Sequence, residues 1–292
     1  MNSPMGDFLK PEGFAGPQGL RALTREGSVL GEAGRFVRRA ASDRISRSAL
    51  PYASHHRPAA AEPVLLIPGF MAGDATLAPM ALMLRGAGYR TYRAHIHVNA
   101  GCTREAADRL ERRIEAIAEQ RGRKVSIVGH SLGGMLARAL AGRRPDLIHG
   151  IVSMGSPMLA PGAVHEVLAR DAEMLTRLTR AGLGGLMSED CIAGECARSS
   201  FEETHAPLDP EIGFTAIYSR RDGIVDWRAC IDPVAIPVEV TASHVGMALD
   251  PLVFDAVRAA LEGQLAVRTA RSRATRETAR SEAALLRPVA HS

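Results

Sequence analysis

The stretch from Lys124 to Gly134, KVSIVGHSLGG, decides the fold. Its first part, Val125 to Val128, is short, β-branched and mostly apolar, which predicts a buried parallel strand. A glycine-rich turn follows at once, and after it comes the helix-forming series from Met135 to Leu140. A strand that ends in G-x-S-x-G and runs directly into a helix is the nucleophile-elbow pattern. A glycine-rich turn that only packs strand against helix is the alternative interpretation.

The serine of this turn, Ser131, is expected at a strained backbone angle that projects its side chain above the sheet. The residues two before and two after it must be small, and Gly129 and Gly133 meet that requirement. The first amides of the following helix point at the same place and favour negative charge there. The turn therefore marks Ser131 as a candidate nucleophile.

The composition is that of a globular α/β protein. The chain has 292 residues, of which 46% are hydrophobic and 4% aromatic, so aliphatic side chains must fill the core. The net charge is only +4, and no basic patch interleaved with aromatic residues appears, so we expect no nucleic-acid partner. The N-terminus lacks the pattern of a secretion signal, and no apolar stretch is long enough to span a bilayer, which predicts a cytoplasmic protein.

Four cysteines are present, Cys102, Cys191, Cys196 and Cys230. Cys191 and Cys196 are close enough in sequence to bridge a small loop in an oxidising compartment, but without a secretion signal we expect reduced thiols. A C-x4-C pair without a second pair of sulfur or histidine ligands is a poor argument for zinc. We therefore expect neither a metal nor a cofactor.

Three regions divide the chain. Residues 1–61 form an extension without a convincing strand, in which apolar residues recur at helical spacing with arginines between them, namely Leu30, Ala33, Val37 and Ala40. One interpretation is a basic helix in peripheral contact with anionic lipid. The favoured one is a helix packed on the outside of the domain with its arginines in water. Residues 62–264 form the catalytic domain, and residues 265–292 form an arginine-rich tail, helical or disordered.

Strands and helices alternate from residue 62, which predicts a mostly parallel twisted sheet with helices on both faces. The predicted strands are 64–67, 91–98, 125–128, 148–154, 214–219 and 236–241. The segment 157–211 departs from the alternation after the strand at 148–154. We interpret it as a cap insertion over the sheet edge where ligands bind in such folds.

A serine hydroxyl needs a base that is held in place by an acid. In this kind of sheet the acid and then the histidine follow the serine, each after a later strand. Asp222 follows the strand FTAIYS, and His244 follows the strand IPVEV. Asp226 is the rival acid, but Asp222 is nearer to the strand end and precedes Gly223, which suits a tight loop.

Of the ten histidines, His244 alone lies between the last strand and the last helix. His130 is expected to point away from its neighbour Ser131. A zinc site at His95 and His97, on the polar face of an earlier strand, lacks an identifiable third ligand. Five further histidines are expected to be solvated rather than catalytic, namely His55, His56, His149, His165 and His205.

An oxyanion hole needs two backbone amides. One is expected from Leu132, directly after the serine, and the other from Phe70, after the first strand of the domain. An ordinary turn is the alternative reading of Pro68-Gly69-Phe70. The apolar residues Met71, Leu159 and Met247 are expected to bind an apolar acyl chain.

Five motifs, LLIPGF, VGHSLGG, MGSP, YSRRDGIVDW and ASHVGM, make residues 62–262 resemble the α/β-hydrolase superfamily. The likeness is to bacterial serine esterases and triacylglycerol lipases, and more distantly to GPI-inositol deacylases. It implies Ser131 as nucleophile, Asp222 as acid, His244 as base, and the amides of Phe70 and Leu132 as the oxyanion hole. The two antiparallel strands that usually begin this fold are not evident, which predicts a shortened sheet.

The resemblance implies a serine hydrolase that cleaves small-molecule or lipid carboxylic esters through an acyl-enzyme, without a metal or cofactor. GHSLGG is shared with thioesterases and acyltransferases, so these are alternatives with the same residues. A non-catalytic protein that binds membranes through its arginine-rich ends is an alternative of another class. Nothing in the sequence indicates the oligomeric state.

Overall fold

A computed structural model describes residues 5–49 and 62–285 of the chain. These residues contain a six-stranded sheet in which every neighbouring pair is parallel, with the strand order β2-β1-β3-β4-β5-β6. The strands are β1 (Pro63–Ile67), β2 (Arg90–Arg93), β3 (Val125–His130), β4 (Ile148–Met154), β5 (Gly213–Ser219) and β6 (Ile236–Val240). The predicted parallel sheet is confirmed, and β1 to β6 contain no leading antiparallel pair within the described ranges.

Helices cover both faces of the sheet. They are α1 (Gly19–Glu26), α2 (Val29–Ala49), α3 (Ala78–Gly86), α4 (Thr103–Arg121), α5 (Leu132–Arg143), α6 (Glu166–Arg180), α7 (Asp190–Ala193), α8 (Glu195–His205) and α9 (Pro251–Leu285). Successive strand residues point to opposite faces, so Leu65 packs with α4 and α5, whereas Leu66 packs with α3 and α9. The site described below therefore rests on a sheet that is buried from both sides.

The second strand is shorter than its sequence predicts. The alternation over residues 91–98 indicates a longer strand, but β2 ends at Arg93 and His95 has a φ of 62°. The cause is a competing set of hydrogen bonds: His95 donates its amide to the Asp74 carboxylate at 3.0 Å, and the Asp74 amide binds the Ile96 carbonyl at 2.9 Å. The chain therefore leaves the sheet to pack on the loop after β1.

Helix α2 confirms the predicted helix but not its packing face. Leu30 is 80% exposed and Val37 63% exposed, whereas Glu32 is only 1% exposed. Hydrogen bonding sets this orientation, because the Glu32 carboxylate binds Ser243 and Arg35 pairs with Asp250. The prediction from the apolar spacing, that Leu30 and Val37 lie on the buried face of α2, is therefore wrong.

The segment between β4 and β5 carries α6, α7 and α8, and we refer to residues 157–211 as the cap segment. Beyond β6, Asp250 accepts the amide of Leu252 and so caps α9, and α9 continues through the first part of the C-terminal tail. None of the helices within residues 5–49 and 62–285 combines the length and apolarity needed to cross a membrane.

Candidate active site

Ser131 occupies the sharp turn between β3 and α5. Its φ of 52° and ψ of −120° lie in a region that non-glycine residues rarely adopt. Glycine is required on both sides, because a Cβ at Gly129 would collide with the Gly133 carbonyl and one at Gly133 with the Ile67 carbonyl. The Ser131 amide donates to the Met154 carbonyl at 2.8 Å, which fixes the turn to the end of β4. These contacts hold Ser131 in its strained backbone conformation.

Asp222 and His244 are in direct contact. The Nδ1 atom of His244 lies 2.6 Å from Oδ2 of Asp222, and both side chains are buried. The other carboxylate oxygen accepts the amides of Ile224 and Val225, each at 2.8 Å, so the carboxylate cannot rotate freely. With Nδ1 committed to Asp222, Nε2 is the ring nitrogen that remains for proton exchange.

The electrostatics of this pair favour a protonated imidazole. Burial by itself lowers the pKa of His244, but the charge of Asp222, its hydrogen bond and the charge of Glu26 outweigh burial and raise the pKa above its ordinary value. A histidine in this position can accept a proton at Nε2 while Asp222 stabilises the resulting charge.

The end of β4 joins Ser131 to the Asp222–His244 pair. Met154 accepts the Ser131 amide, and the next residue, Gly155, has a φ of 57° and packs against the His244 ring. A Cβ at Gly155 would lie 3.1 Å from Nδ1 of His244. Glycine here lets the imidazole lie close to the strand end, so the three predicted residues share one edge of the sheet.

His130 supports His244 rather than replacing it. The two rings have centroids 4.9 Å apart, and Nε2 of His130 lies 2.9 Å from the His244 carbonyl oxygen. Burial, followed by the nearby His244 ring, lowers the pKa of His130 to about 3. His130 is therefore a neutral residue that holds the main chain of the His244 loop.

The rival acid Asp226 makes a different set of contacts. One of its oxygens accepts the Arg228 amide at 3.1 Å, and the other accepts the Ala15 amide at 3.1 Å and pairs with the Arg228 guanidinium at 2.7 Å. Burial opposes the ionised form, but the Arg228 hydrogen bonds and the Ala15 amide hold the pKa of Asp226 below its usual range. Asp226 thus joins the N-terminal extension to the loop after β5.

Two glutamates of the N-terminal extension bind the same loops, and sequence reasoning did not identify them. The Glu26 carboxylate accepts the amides of Gly223 at 2.9 Å, His244 at 3.1 Å and Val245 at 3.0 Å. Glu32 accepts both the amide and the hydroxyl of Ser243 at 2.8 and 2.7 Å. Helices α1 and α2 therefore fix the loops that carry Asp222 and His244.

The two amides predicted for an oxyanion hole lie at the expected turns. Leu132 is the first residue of α5, so its amide has no partner within the helix. In the turn after β1, Met71 donates to the Asn99 carbonyl at 3.0 Å and Ala72 to the Gly69 carbonyl at 3.2 Å. Neither bond uses the Phe70 amide. Phe70 and Leu132 both line the cleft that contains Ser131.

This cleft, which we call the apolar cleft, encloses about 1020 Å³ including its open mouth. One face of α5 forms part of its wall, and the lining residues there recur at helical spacing: Leu132, Met135, Leu136 and Ala139. The cap segment contributes Leu168 and Phe201 among others, and the N-terminal extension contributes Leu9. The cleft therefore runs from Ser131 along α5, beneath the cap segment.

Three residues predicted to bind substrate lie outside the lining of the apolar cleft. Met71 is 42% exposed on the surface, because its turn faces outward at a φ of 58°. Met247 is completely buried in the core formed with α3 and α9. Leu159 is tied by its amide to the Ala229 carbonyl at 3.0 Å. The sequence identified an apolar pocket but not the helix face that lines it.

The other histidines differ in part from expectation. His149 is buried in β4, where its Nε2 lies 3.0 Å from the Ser126 hydroxyl, and burial lowers its pKa to about 4. His165 is buried as the cap of α6, where it accepts the Val167 amide. The prediction that both are solvated is wrong. His95, His97 and His205 are exposed, and His55 and His56 lie outside the described residues.

Comparisons with known proteins agree with this architecture. A family profile of the alpha/beta hydrolase fold matches residues 79–181, which include the turn at Ser131. The Bacillus licheniformis lipase BlEst2 in its mature form is similar with a TM-score of 0.55 at 15% identity, covering 69% of this chain and 92% of that chain. Its propeptide form gives the same TM-score and identity, over 69% of this chain and 50% of that chain.

A Paleococcus ferrophilus monoacylglycerol lipase is similar with a TM-score of 0.47 at 18% identity, covering 71% of this chain and 96% of that chain. No curated protein sequence matches the chain. The parallel sheet, the strained turn after β3 and the matching profile together show that the chain has the alpha/beta hydrolase fold, similar to the fold of the Bacillus licheniformis lipase.

Proposed function

We propose that the protein is a serine hydrolase that cleaves carboxylic esters, with Ser131 as nucleophile, His244 as base and Asp222 as acid. The observation that carries the proposal is the 2.6 Å hydrogen bond between Asp222 and His244, at the same sheet edge as the strained Ser131 turn. The chain order of serine, acid and histidine supports it as well.

In the proposed reaction the Ser131 hydroxyl attacks the ester carbonyl carbon while Nε2 of His244 takes its proton. The amides of Leu132 and Phe70 stabilise the oxyanion that forms, and loss of one such donor typically costs about 100- to 1000-fold in turnover. His244 then returns the proton to the departing alcohol, which leaves an acyl group on Ser131. Water repeats the cycle and releases the carboxylic acid.

The apolar cleft favours an ester with an apolar acyl chain. Its wall on α5 extends from Ser131 to Ala139, which corresponds to about 12 Å of helix at the usual rise. The lining is mostly aliphatic and aromatic, with Ser131 at one end as a convergent polar group. A small-molecule or lipid ester with a medium-length acyl chain fits this length and chemistry best.

The test is a panel of p-nitrophenyl esters from acetate to palmitate. We expect kcat/KM to be highest between hexanoate and decanoate, because those chains cover the α5 wall and longer ones extend beyond it. The variant Ala139→Leu fills the far end of the apolar cleft and should move the optimum to shorter chains, while hydrolysis of the acetate ester serves as the internal control. Absence of turnover on every ester by folded protein would refute the proposal.

Glu26 provides a further prediction, because its carboxylate holds the loops of both Asp222 and His244. Oε1 of Glu26 accepts the amides of Gly223 and His244, so the glutamine carbonyl of Glu26→Gln is expected to keep that position. The NH2 group then replaces Oε2 and cannot accept the Val245 amide. An unsatisfied donor costs about 1–3 kcal/mol, so we expect kcat/KM to fall roughly tenfold.

The pH profile of kcat/KM distinguishes an effect of the charge of Glu26 on His244 from a merely structural effect of Glu26 on the loops. His244 acts as a base in its neutral form, so kcat/KM decreases as the pH falls through its pKa. The charge of Glu26 contributes to the raised pKa of His244, so Glu26→Gln should shift the acid limb of the profile to lower pH. Glu12→Gln makes the same charge change at an exposed site of the extension and should leave the limb in place. An unshifted limb in Glu26→Gln would contradict the prediction.

A further inference from the structure

Three cysteine thiols from two distant parts of the chain converge beside the apolar cleft. Cys102 directly precedes α4, Cys191 lies in α7, and Cys196 lies in α8. Their Sγ atoms are all within 4.8 Å of one another, and those of Cys102 and Cys196 are 3.5 Å apart. We call these three residues the thiol cluster. All four cysteines of the chain are free thiols, including Cys230, which lies in the short helix after β5.

The positions of the three thiols are fixed by their surroundings. On the core side, the Cys102 carbonyl accepts the Ala106 amide at 3.0 Å at the start of α4. On the cap side, the Asp190 carboxylate accepts the Cys196 amide at 3.3 Å, at the junction of α7 and α8. A hydroxyl contact of 3.1 Å between Thr103 and Ser200 connects the two sides next to the cluster. The convergence is therefore part of the packing between the core and the cap segment.

The spacing of the sulfur atoms suits a thiophilic cation. Zinc binds thiolates at about 2.3 Å in a tetrahedral arrangement, which places the sulfurs about 3.8 Å apart. The sulfur atoms of the thiol cluster lie at similar separations: one pair is 3.5 Å apart, and every pair is within 4.8 Å. A disulfide would use two of the three sulfurs and leave the convergence of the third unexplained.

The three residues of the cluster are shielded from solvent to different degrees. Cys196 is buried, and Cys102 and Cys191 are half-buried. A bound divalent cation stabilises thiolates through its own charge, so all three sulfur atoms can coordinate it.

We propose that Cys102, Cys191 and Cys196 form a metal site that takes a thiophilic d10 cation, with Zn²⁺ as the ion that fits best. Binding replaces three S–H bonds with three metal–sulfur bonds and releases three protons to solvent, with no change in oxidation state. The fourth position is filled by water or another small ligand. The ion would connect the start of α4 to α7 and α8. The site would lie next to the apolar cleft, because Cys191 is one of the residues that line the cleft. Its role would be structural.

The experiment uses the full chain, stripped of metal with a chelator and kept reduced. Titration with Co²⁺ should give one equivalent of binding with sulfur-to-cobalt charge-transfer absorption in the near ultraviolet, and Zn²⁺ should bleach it. Zn²⁺ should also raise the melting temperature. Each of C102S, C191S and C196S should weaken Co²⁺ binding at least tenfold, whereas C230S should bind like the wild type.

Melting curves without metal identify any variant that fails to fold, and Cd²⁺ titration provides a second sulfur-specific signal. Wild-type protein that shows no thiolate absorption with either ion would overturn the proposal. So would binding that is unchanged in all three cluster variants, or a Cys102–Cys196 disulfide in the isolated protein with no metal uptake after reduction. These readouts do not require ester hydrolysis, so the metal site and the proposed function can fail separately.

Discussion

Replacement of Ser131 with alanine is expected to lower kcat for ester hydrolysis about 10⁶-fold, the order of effect seen when a serine nucleophile of this kind is removed. Without the hydroxyl no acyl-enzyme forms, and His244 has no serine proton to take. Binding in the apolar cleft and the amides of Phe70 and Leu132 remain, so about 10³- to 10⁴-fold acceleration over water should persist. The KM for a medium-chain ester should change little.

A fluorophosphonate reports on the same residue without a substrate. Wild type should gain one covalent adduct, located at Ser131 by peptide mass spectrometry, and Ser131→Ala should gain none. Ser156→Ala is the matched control, because Ser156 is a buried serine that follows β4 at the same sheet edge. It should label and turn over like the wild type. Labelling of Ser131→Ala at wild-type rate would show that another residue is the nucleophile.

Local signals made the strand ends and their polar residues predictable. The β3 turn needs glycine at Gly129 and Gly133 because each packs against a backbone carbonyl, and that need is visible as G-x-S-x-G. Strands β4 and β5 are short apolar runs that are almost entirely buried, and β6 is an edge strand with an apolar alternation whose Val238 and Val240 are half-buried, so the ends of all three could be located to within a residue or two. Parallel strands bring such ends to one edge, which is why Asp222 and His244 could be paired before their contact was seen.

Contacts between distant segments were not predictable in the same way. Glu26 lies about 200 positions from the amides it accepts, and nothing in its local sequence distinguishes it from a solvated helix glutamate. The buried face of α2 was misread for the same reason, because two polar partners, Ser243 and Asp250, decide its orientation. In the thiol cluster, Cys102 lies 89 or more positions before Cys191 and Cys196. The C-x4-C spacing of Cys191 and Cys196 therefore could not indicate that Cys102 lies beside them.

The second large effect is expected for Asp222→Asn, which should lower kcat about 10⁴-fold while the fold is retained. The Oδ1 atom of Asp222 accepts two backbone amides, so the asparagine carbonyl is expected to keep that position. The NH2 group then faces Nδ1 of His244, which must become an acceptor, and the ring proton moves to Nε2. That tautomer cannot take the proton of Ser131. Loss of the Asp222 charge should also lower the pKa of His244.

Asp226→Asn distinguishes the two carboxylates, because it makes the same chemical change four residues away. Asp226 binds Ala15 and Arg228 rather than a histidine, so its loss should cost about 1–3 kcal/mol of folding free energy and change kcat only a few-fold. Urea denaturation measures the first effect and p-nitrophenyl octanoate hydrolysis the second. If Asp226→Asn were the inactive variant and Asp222→Asn the active one, the Asp222–His244 hydrogen bond would be structural and the acid would have to be reassigned.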